Sequence, residues 1–203
     1  MTTAPISLRP AQPTTAEGLR FARYLDDAAD GIFRFMLGKN SEQVVAKAYR
    51  TPGHDLSFEH VTFAQNGGTI VGTTSAYSSK QHEQSSESPL IRAAGWRTVR
   101  MAAVSTAAAS LFRFIDTVAD GDFYLQAIAV DPDRRGLGIG SKLFGHVEDE
   151  ARRVGCGRLT LVVAVENEGA RRLYERMGMT IEATSPKSAL LPDGQVHRMA
   201  KAL

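Results

Sequence analysis

An apolar run, Phe123-Tyr124-Leu125-Gln126-Ala127-Ile128-Ala129-Val130, is long enough for a buried strand and is closed by the turn residues Asp131-Pro132-Asp133. Beyond a glycine-rich turn, Leu143, Phe144, Val147, Ala151 and Val154 recur at helical spacing, and Gly155 stands where a helix C-cap belongs. The order then repeats. A second run, Leu159-Thr160-Leu161-Val162-Val163-Ala164-Val165, leads through Glu166-Asn167-Glu168 into Ala170-Arg171-Arg172-Leu173-Tyr174-Glu175-Arg176-Met177, which stops at Gly178. This pattern predicts two parallel strands joined by a right-handed crossover through a helix over 141–154, because parallel neighbours need a long connection.

Upstream, residues 6–9 read as a first strand. Thr14 and Glu17, three apart, open a helix whose apolar face carries Leu19, Ala22, Tyr24 and Leu25. Further helices are expected over 31–37 and over 41–49, the latter with Ser41 as its cap. Residues 58–65 and 69–77 flank Asn66-Gly67-Gly68, a hairpin signal between two strands. The polar, low-complexity stretch 78–88 reads as a mobile loop. Residues 89–114 are alanine-rich and apolar, predicting one or two helices with a break at Gly95. Residues 180–184, a loop holding Pro186, Pro192, Asp193 and Gly194, and a last strand over 196–200 complete the chain. No repeat is evident, and residues 1–203 are expected to form one α/β domain.

The chemistry is concentrated in Arg134-Arg135-Gly136-Leu137-Gly138-Ile139-Gly140-Ser141. A glycine turn between a strand and a helix start makes an anion cradle, because the first N–H groups of the helix lack intrahelical acceptors and the helix dipole is positive there. A pyrophosphate is the implied ligand. The dinucleotide fingerprint G-x-G-x-x-G does not fit, since the glycines fall at 136, 138 and 140. A P-loop does not fit either, since Gly140-Ser141-Lys142 has the wrong order and follows too short a loop.

The segment resembles the acyl-CoA loop of the GNAT superfamily of acyl-CoA-dependent N-acyltransferases, Arg/Gln-x-x-Gly-x-Gly/Ala, with Arg135, Gly138 and Gly140 at its fixed positions. The strand, Asn167 turn and Tyr174 helix match the continuation of that motif, so the resemblance covers about residues 123–182. It implies a mixed, mostly antiparallel sheet flanked by helices, with acetyl-CoA as cosubstrate. Minimal members of the family have little between hairpin and cofactor strand, so residues 78–114 are a helical insertion. That insertion is a candidate cover for the acceptor, a candidate homodimer contact, or added core.

The resemblance further implies a role for each motif residue. The pantetheine arm would lie along the strand ending at Val130, bonded by backbone groups of Ile128 and Val130, with the Ile128 region supplying an oxyanion donor. Gly136, Gly138, Gly140 and Ser141 would hold the pyrophosphate with Arg135 adding charge, and Asn167 would combine helix capping with cofactor contact. Tyr174 is implied as the proton donor to the leaving thiolate. A phenol, with an ordinary pKa of about 10, keeps its proton at neutral pH.

Composition narrows the partners. With 24 Lys plus Arg against 22 Asp plus Glu, the chain shows no basic stripe for nucleic acid, so the expected partner is a small-molecule or peptide amine. The N-terminal residues lack a secretory pattern, and the apolar stretch 101–115 is too short and polar to span a bilayer, which leads to the expectation of a cytoplasmic chain without membrane contact. The single cysteine, Cys156, is expected to be buried and inert. Five scattered histidines, His54, His60, His82, His146 and His197, give no metal-ligand spacing. The general base stays open: Gln126 cannot accept a proton, and Glu59, His60, Asp26, Asp27, Asp30, Tyr124 and a water chain are the alternatives. Two functions remain at this point. One is an N-acetyltransferase acting on a primary amine by direct attack in a ternary complex, and the other is a non-catalytic acyl-CoA sensor or partner-binding module.

Overall fold

A computed structural model describes residues 5–188 and 194–203. Strand β1 (Ile6–Pro10) is followed by helices α1 (Thr15–Ala28), α2 (Ile32–Leu37) and α3 (Ser41–Tyr49), then by the hairpin β2 (Val61–Asn66) and β3 (Thr69–Ser78). Four helices come next: α4 (Ser79–Glu83), α5 (Ser88–Ala94), α6 (Thr98–Ala107) and α7 (Ala109–Asp116). The remainder is β4 (Asp122–Val130), α8 (Ile139–Arg153), β5 (Arg158–Ala164), α9 (Glu168–Arg176), β6 (Thr180–Thr184) and β7 (Val196–Ala202).

The strands form one sheet in the order β1-β2-β3-β4-β5-β7-β6, in which β4 and β5 are the parallel pair and the other neighbours are antiparallel. The β2–β3 turn has Gly67 and Gly68 at φ 56° and 84°, the left-handed pair that a two-residue hairpin demands. On one face, α1 and α3 bury Phe21, Leu25, Val45 and Tyr49 against Val61 and Phe63. On the other face, α8 turns Leu143, Phe144, Val147 and Ala151 inward, all fully buried, each large side chain contributing roughly 1.5–3 kcal/mol. The insertion helices form a smaller cluster in which Val104, Ala108 and Leu111 pack with Met36, Ile115 and Val196.

The structure departs from the sequence expectations at several places. Residues 58–60 form a 3-10 turn, so β2 starts only at Val61. Ser41 is a buried residue inside α3 and does not cap it; Asn40 holds the cap position without a side-chain hydrogen bond. The expected mobile loop over 78–88 is ordered. Ser78 and Gln81 form a reciprocal capping box that starts α4, a Ser-x-x-Gln pattern present in the sequence but masked by its polar surroundings. Residues 89–114 make three helices, broken at Gly95 as expected and again at Ala108. Cys156 is half-buried, and burial raises its thiol pKa. Pro192 and Asp193 lie outside the described residues.

Candidate active site

The decisive event is a parting of strands. β4 and β5 pair only from Asp122↔Arg158 to Leu125↔Leu161, although β4 continues to Val130 and β5 to Ala164. At that point β3 and β4 are also irregular: Ser75 lies opposite Ala127 and Ala76 opposite Leu125, so Gln126 is an extra residue. Such a bulge increases local twist and bends the strand. Its side chain is held by the Ser75 hydroxyl, which donates to Gln126 Oε1 at 2.8 Å.

Beyond the bulge, the amide of Asp131 donates to Val71 O in β3, and Ala127 O accepts from the Thr74 hydroxyl. Backbone groups alternate in direction along a strand, so those of Ile128 and Val130 face the opening left by β5. The Val130 carbonyl follows that direction, accepting from Arg135 Nε at 3.3 Å. The end of β4 is fixed from the other side. Asp131 accepts from the Tyr24 hydroxyl at 2.6 Å and from Arg20 at 3.3 Å, which ties α1 to the start of the glycine turn.

The opening widens into a cavity of about 1230 Å³. Ile128, Val130, Arg135, Gly136, Gly138, Gly140, Ser141, Asn167 and Tyr174 all line it. Gly136 and Gly138 both have φ +77°, and a Cβ at either would meet no atom within 4 Å, so the glycines serve backbone conformation and an open approach. Gly138 caps α8 without a side-chain hydrogen bond, which leaves the first N–H groups of the helix uncapped. Gly140 does something different. A Cβ there would lie 3.2 Å from Leu173 Cδ2, so this glycine lets α8 and α9 approach closely. Asn167 accepts from Ala170 N at 3.1 Å and so caps α9 while lining the cavity.

Tyr174 is 8% exposed, 6.1 Å ring to ring from Phe144, and its hydroxyl makes no hydrogen bond to any described residue. Burial alone pushes its pKa up to about 12. Tyr124 on β4 shares these properties: it is buried, lines the same cavity and has an unpartnered hydroxyl among the described residues.

The candidate bases separate cleanly. Glu59 is committed to Gly53 N and the Ser57 hydroxyl, and Asp26 is paired with Arg34; neither lines the cavity. His60 packs edge-on against Tyr77 at 5.6 Å outside the lining, and burial lowers its pKa. Asp27 and Asp30 do line it, as do Asp55, Glu87 and Asp116, which the sequence did not single out. Their placement depends on the fold of the insertion, for which the sequence offered no motif. Among the described residues, no group of three or more His, Cys, Asp or Glu is arranged to hold a metal ion, and no helix is long and apolar enough to cross a membrane.

The model of the Acetyltransferase (GNAT) family matches residues 36–179. The chain belongs to that family. Among curated GNAT relatives, it is 42% identical over 57 residues to thialysine N-epsilon-acetyltransferase of Bos taurus, covering 28% of this chain and 34% of that protein. It is 36% identical over 63 residues to the L-methionine sulfoximine/L-methionine sulfone acetyltransferase of Salmonella typhimurium, covering 30% and 36%. The matched segment thus spans about a third of each relative. The fold is similar to that of an N-acetyltransferase from Staphylococcus aureus Mu50, with a TM-score of 0.67 at 16% identity over 96% of this chain and 100% of that one. One parallel pair inside a seven-stranded, mostly antiparallel sheet is the architecture expected from the resemblance, whereas the motif does not predict the bulge or the parting of the pair.

Proposed function

We propose that the protein transfers an acetyl group from acetyl-CoA to a primary amine by direct attack within a ternary complex. The observation that carries this reading is the convergence of three features on one cavity: the splayed end of β4, the uncapped N-terminus of α8 and the Tyr174 hydroxyl, which has no hydrogen-bond partner among the described residues. When bound, acetyl-CoA supplies the activated acetyl group. The outward carbonyl of Ile128 and the outward N–H of Val130 suit the amides of a pantetheine arm, as in strand addition. The N–H of Ile128 is the donor we assign to the thioester oxygen, and preorganised donors of this kind stabilise developing negative charge.

The glycine turn fits a pyrophosphate for the reasons just given, and Arg135 adds positive charge while its Nε holds the end of β4. Tyr174 retains its proton through the neutral range, as the donor to a departing thiolate must. The acceptor ammonium gives one proton to water before it can attack and a second as the amide C–N bond forms; the C–S bond cleaves, the thiolate takes the Tyr174 proton, and the tyrosinate regains one from water, so one proton is released overall. A sensor would have no use for that hydroxyl, which favours turnover. The names of the two curated relatives point to small nitrogen-bearing acceptors. We place the reaction in the cytoplasm, in keeping with a chain that has 1 cysteine and so no intrachain disulfide.

The test is free-thiol release from acetyl-CoA over a panel of amines and peptides, paired with thermal unfolding. Acetyl-CoA is expected to raise the unfolding temperature and at least one amine to release thiol. Stabilisation by a nicotinamide dinucleotide and none by saturating acetyl-CoA would overturn the assignment.

A further inference from the structure

The cavity is electrically divided. Among the described residues, the Lys and Arg side chains that line it are Arg134, Arg135 and Arg176, all from the glycine turn and α9. The opposite arm, walled by the end of α1, the loop before β2 and the insertion, is lined by the carboxylates of Asp27, Asp30, Asp55, Glu87 and Asp116 and, among the described residues, by no Lys or Arg. The first set suits the phosphates of the acyl donor. The second has to face the acceptor.

Two features show that this arm is a built site. His82, on the α4 turn, lies with Nδ1 2.8 Å from Asp55 Oδ2 and donates from Nε2 to the Asp116 carbonyl at 3.1 Å. Its ring stacks on Tyr77 with planes 8° apart. One imidazole therefore positions both acidic residues against the sheet. The second feature is Tyr124, beside Tyr77 on the neighbouring strand, their rings 5.6 Å apart. Tyr124 is 5% exposed, and its hydroxyl has no hydrogen-bond partner among the described residues. That hydroxyl is open to the cavity, and across from it Asp55 Oδ1 is buried without a hydrogen-bond partner among the described residues, a state that costs free energy unless a ligand supplies the bond. Asp55, Asp116 and Tyr174 line the same cavity as Tyr124. The carboxylate of Asp116 likewise has no hydrogen-bond or ion-pair partner among the described residues, and burial raises its pKa against the opposing pull of His82. The nearby Arg198 is turned to the Phe114 carbonyl and sits over that ring at 4.7 Å.

The rest of the arm is apolar: Phe33, Met36, Leu90, Met101 and Phe112 form its walls. Resting on the reading of this protein as an amine acetyltransferase, we infer that the acceptor is a primary amine on an apolar alkyl or aryl body, bound as its ammonium ion between the Tyr124 hydroxyl and the carboxylates of Asp116 and Asp55. An acceptor carrying its own carboxylate beside the amine is disfavoured, because it would bring a negative charge into a wall of five acidic residues. Tyr124 and Asp116 bind the substrate; His82 is a positioning residue.

The experiment compares phenethylamine and hexylamine with glutamate and an acidic peptide in thiol release, and measures phenethylamine binding calorimetrically in the presence of CoA, where no transfer occurs. The apolar amines are expected to exceed glutamate by at least about tenfold in kcat/KM and to bind the CoA complex. Asp116→Asn is expected to raise the phenethylamine KM by about tenfold, leaving the acetyl-CoA KM and the acetyl-CoA thermal shift unchanged. Tyr124→Phe, which keeps the buried ring, is expected to raise the amine KM severalfold. Preference for glutamate or the acidic peptide, or an unchanged amine KM in Asp116→Asn, overturns the inference and leaves the acetyltransferase reading intact. A protein that is not stabilised by acetyl-CoA overturns both.

Discussion

Asp122 and Arg158 face each other on the first rung of the parallel ladder, with Arg158 donating from Nε at 2.8 Å and from Nη2 at 3.0 Å to the two carboxylate oxygens of Asp122. Asp122 is buried, whereas Arg158 is half exposed and also reaches Glu182 at 2.7 Å. The pair clamps β4 to β5 at the start of the short ladder that precedes their parting. Arg158→Ala leaves a buried carboxylate without its cation and is expected to destabilise the fold by about 2–4 kcal/mol, below the full cost for a wholly buried pair because solvent screens the guanidinium. Urea unfolding measures this, and a loss under about 1 kcal/mol would show that the clamp is dispensable.

Gly138→Asp is expected to abolish stabilisation by acetyl-CoA. The position has φ +77° and open space beyond its Cα, so the substitution adds backbone strain and sets a carboxylate where we place the pyrophosphate. Gly138→Ala separates the two effects, since it carries the strain without the charge. Thermal unfolding with and without acetyl-CoA should show both variants less stable, with the ligand-induced shift gone only in the aspartate variant.

Tyr174→Phe retains the ring packed on Phe144 and removes one hydroxyl. A proton donor positioned for the transition state contributes about 10²–10⁴-fold, so kcat is expected to fall within that range while the acetyl-CoA thermal shift is kept. Near wild-type kcat on a good acceptor, together with a pre-steady-state burst of CoA, would place the slow step after chemistry. Near wild-type kcat without a burst would make Tyr174 a packing residue.

The same substitution is expected to change the alkaline limb of stability. Burial pushes the Tyr174 pKa up to about 12, against about 10 for an exposed phenol, so between these values the unfolded chain binds fewer protons than the folded one. Stability from this group is complete below pH 10 and is lost as pH rises toward 12. Tyr24, Tyr49, Tyr77 and Tyr124 shift in the same direction, chiefly through burial, so unfolding free energy should drop steeply above pH 10. At pH 11 the drop relative to pH 8 should be about 1.4 kcal/mol smaller in Tyr174→Phe than in the unsubstituted protein. An equal drop in both would show that the Tyr174 phenol titrates normally.

Local chemistry accounts for what could be read along the chain. The glycines at 136 and 138, the Asn167 cap and the Asn66-Gly67-Gly68 hairpin each depend on backbone conformations that few residues adopt, so composition at those points discloses structure. The parallel pairing of the strands ending at Val130 and Ala164 followed from the length of the segment between them, because a parallel connection must cross the sheet. All nine motif residues accordingly fall on one cavity. Tertiary structure alone decided where the strands part. The bulge at Gln126 carries no glycine or proline and falls where the pairing with β5 ends. It also decided that His82, in a polar stretch without apolar periodicity, would bridge Asp55 and Asp116 across 27 and 34 residues of chain. Contacts between residues so distant in sequence leave no local pattern, and the acidic arm of the cavity is held by such contacts.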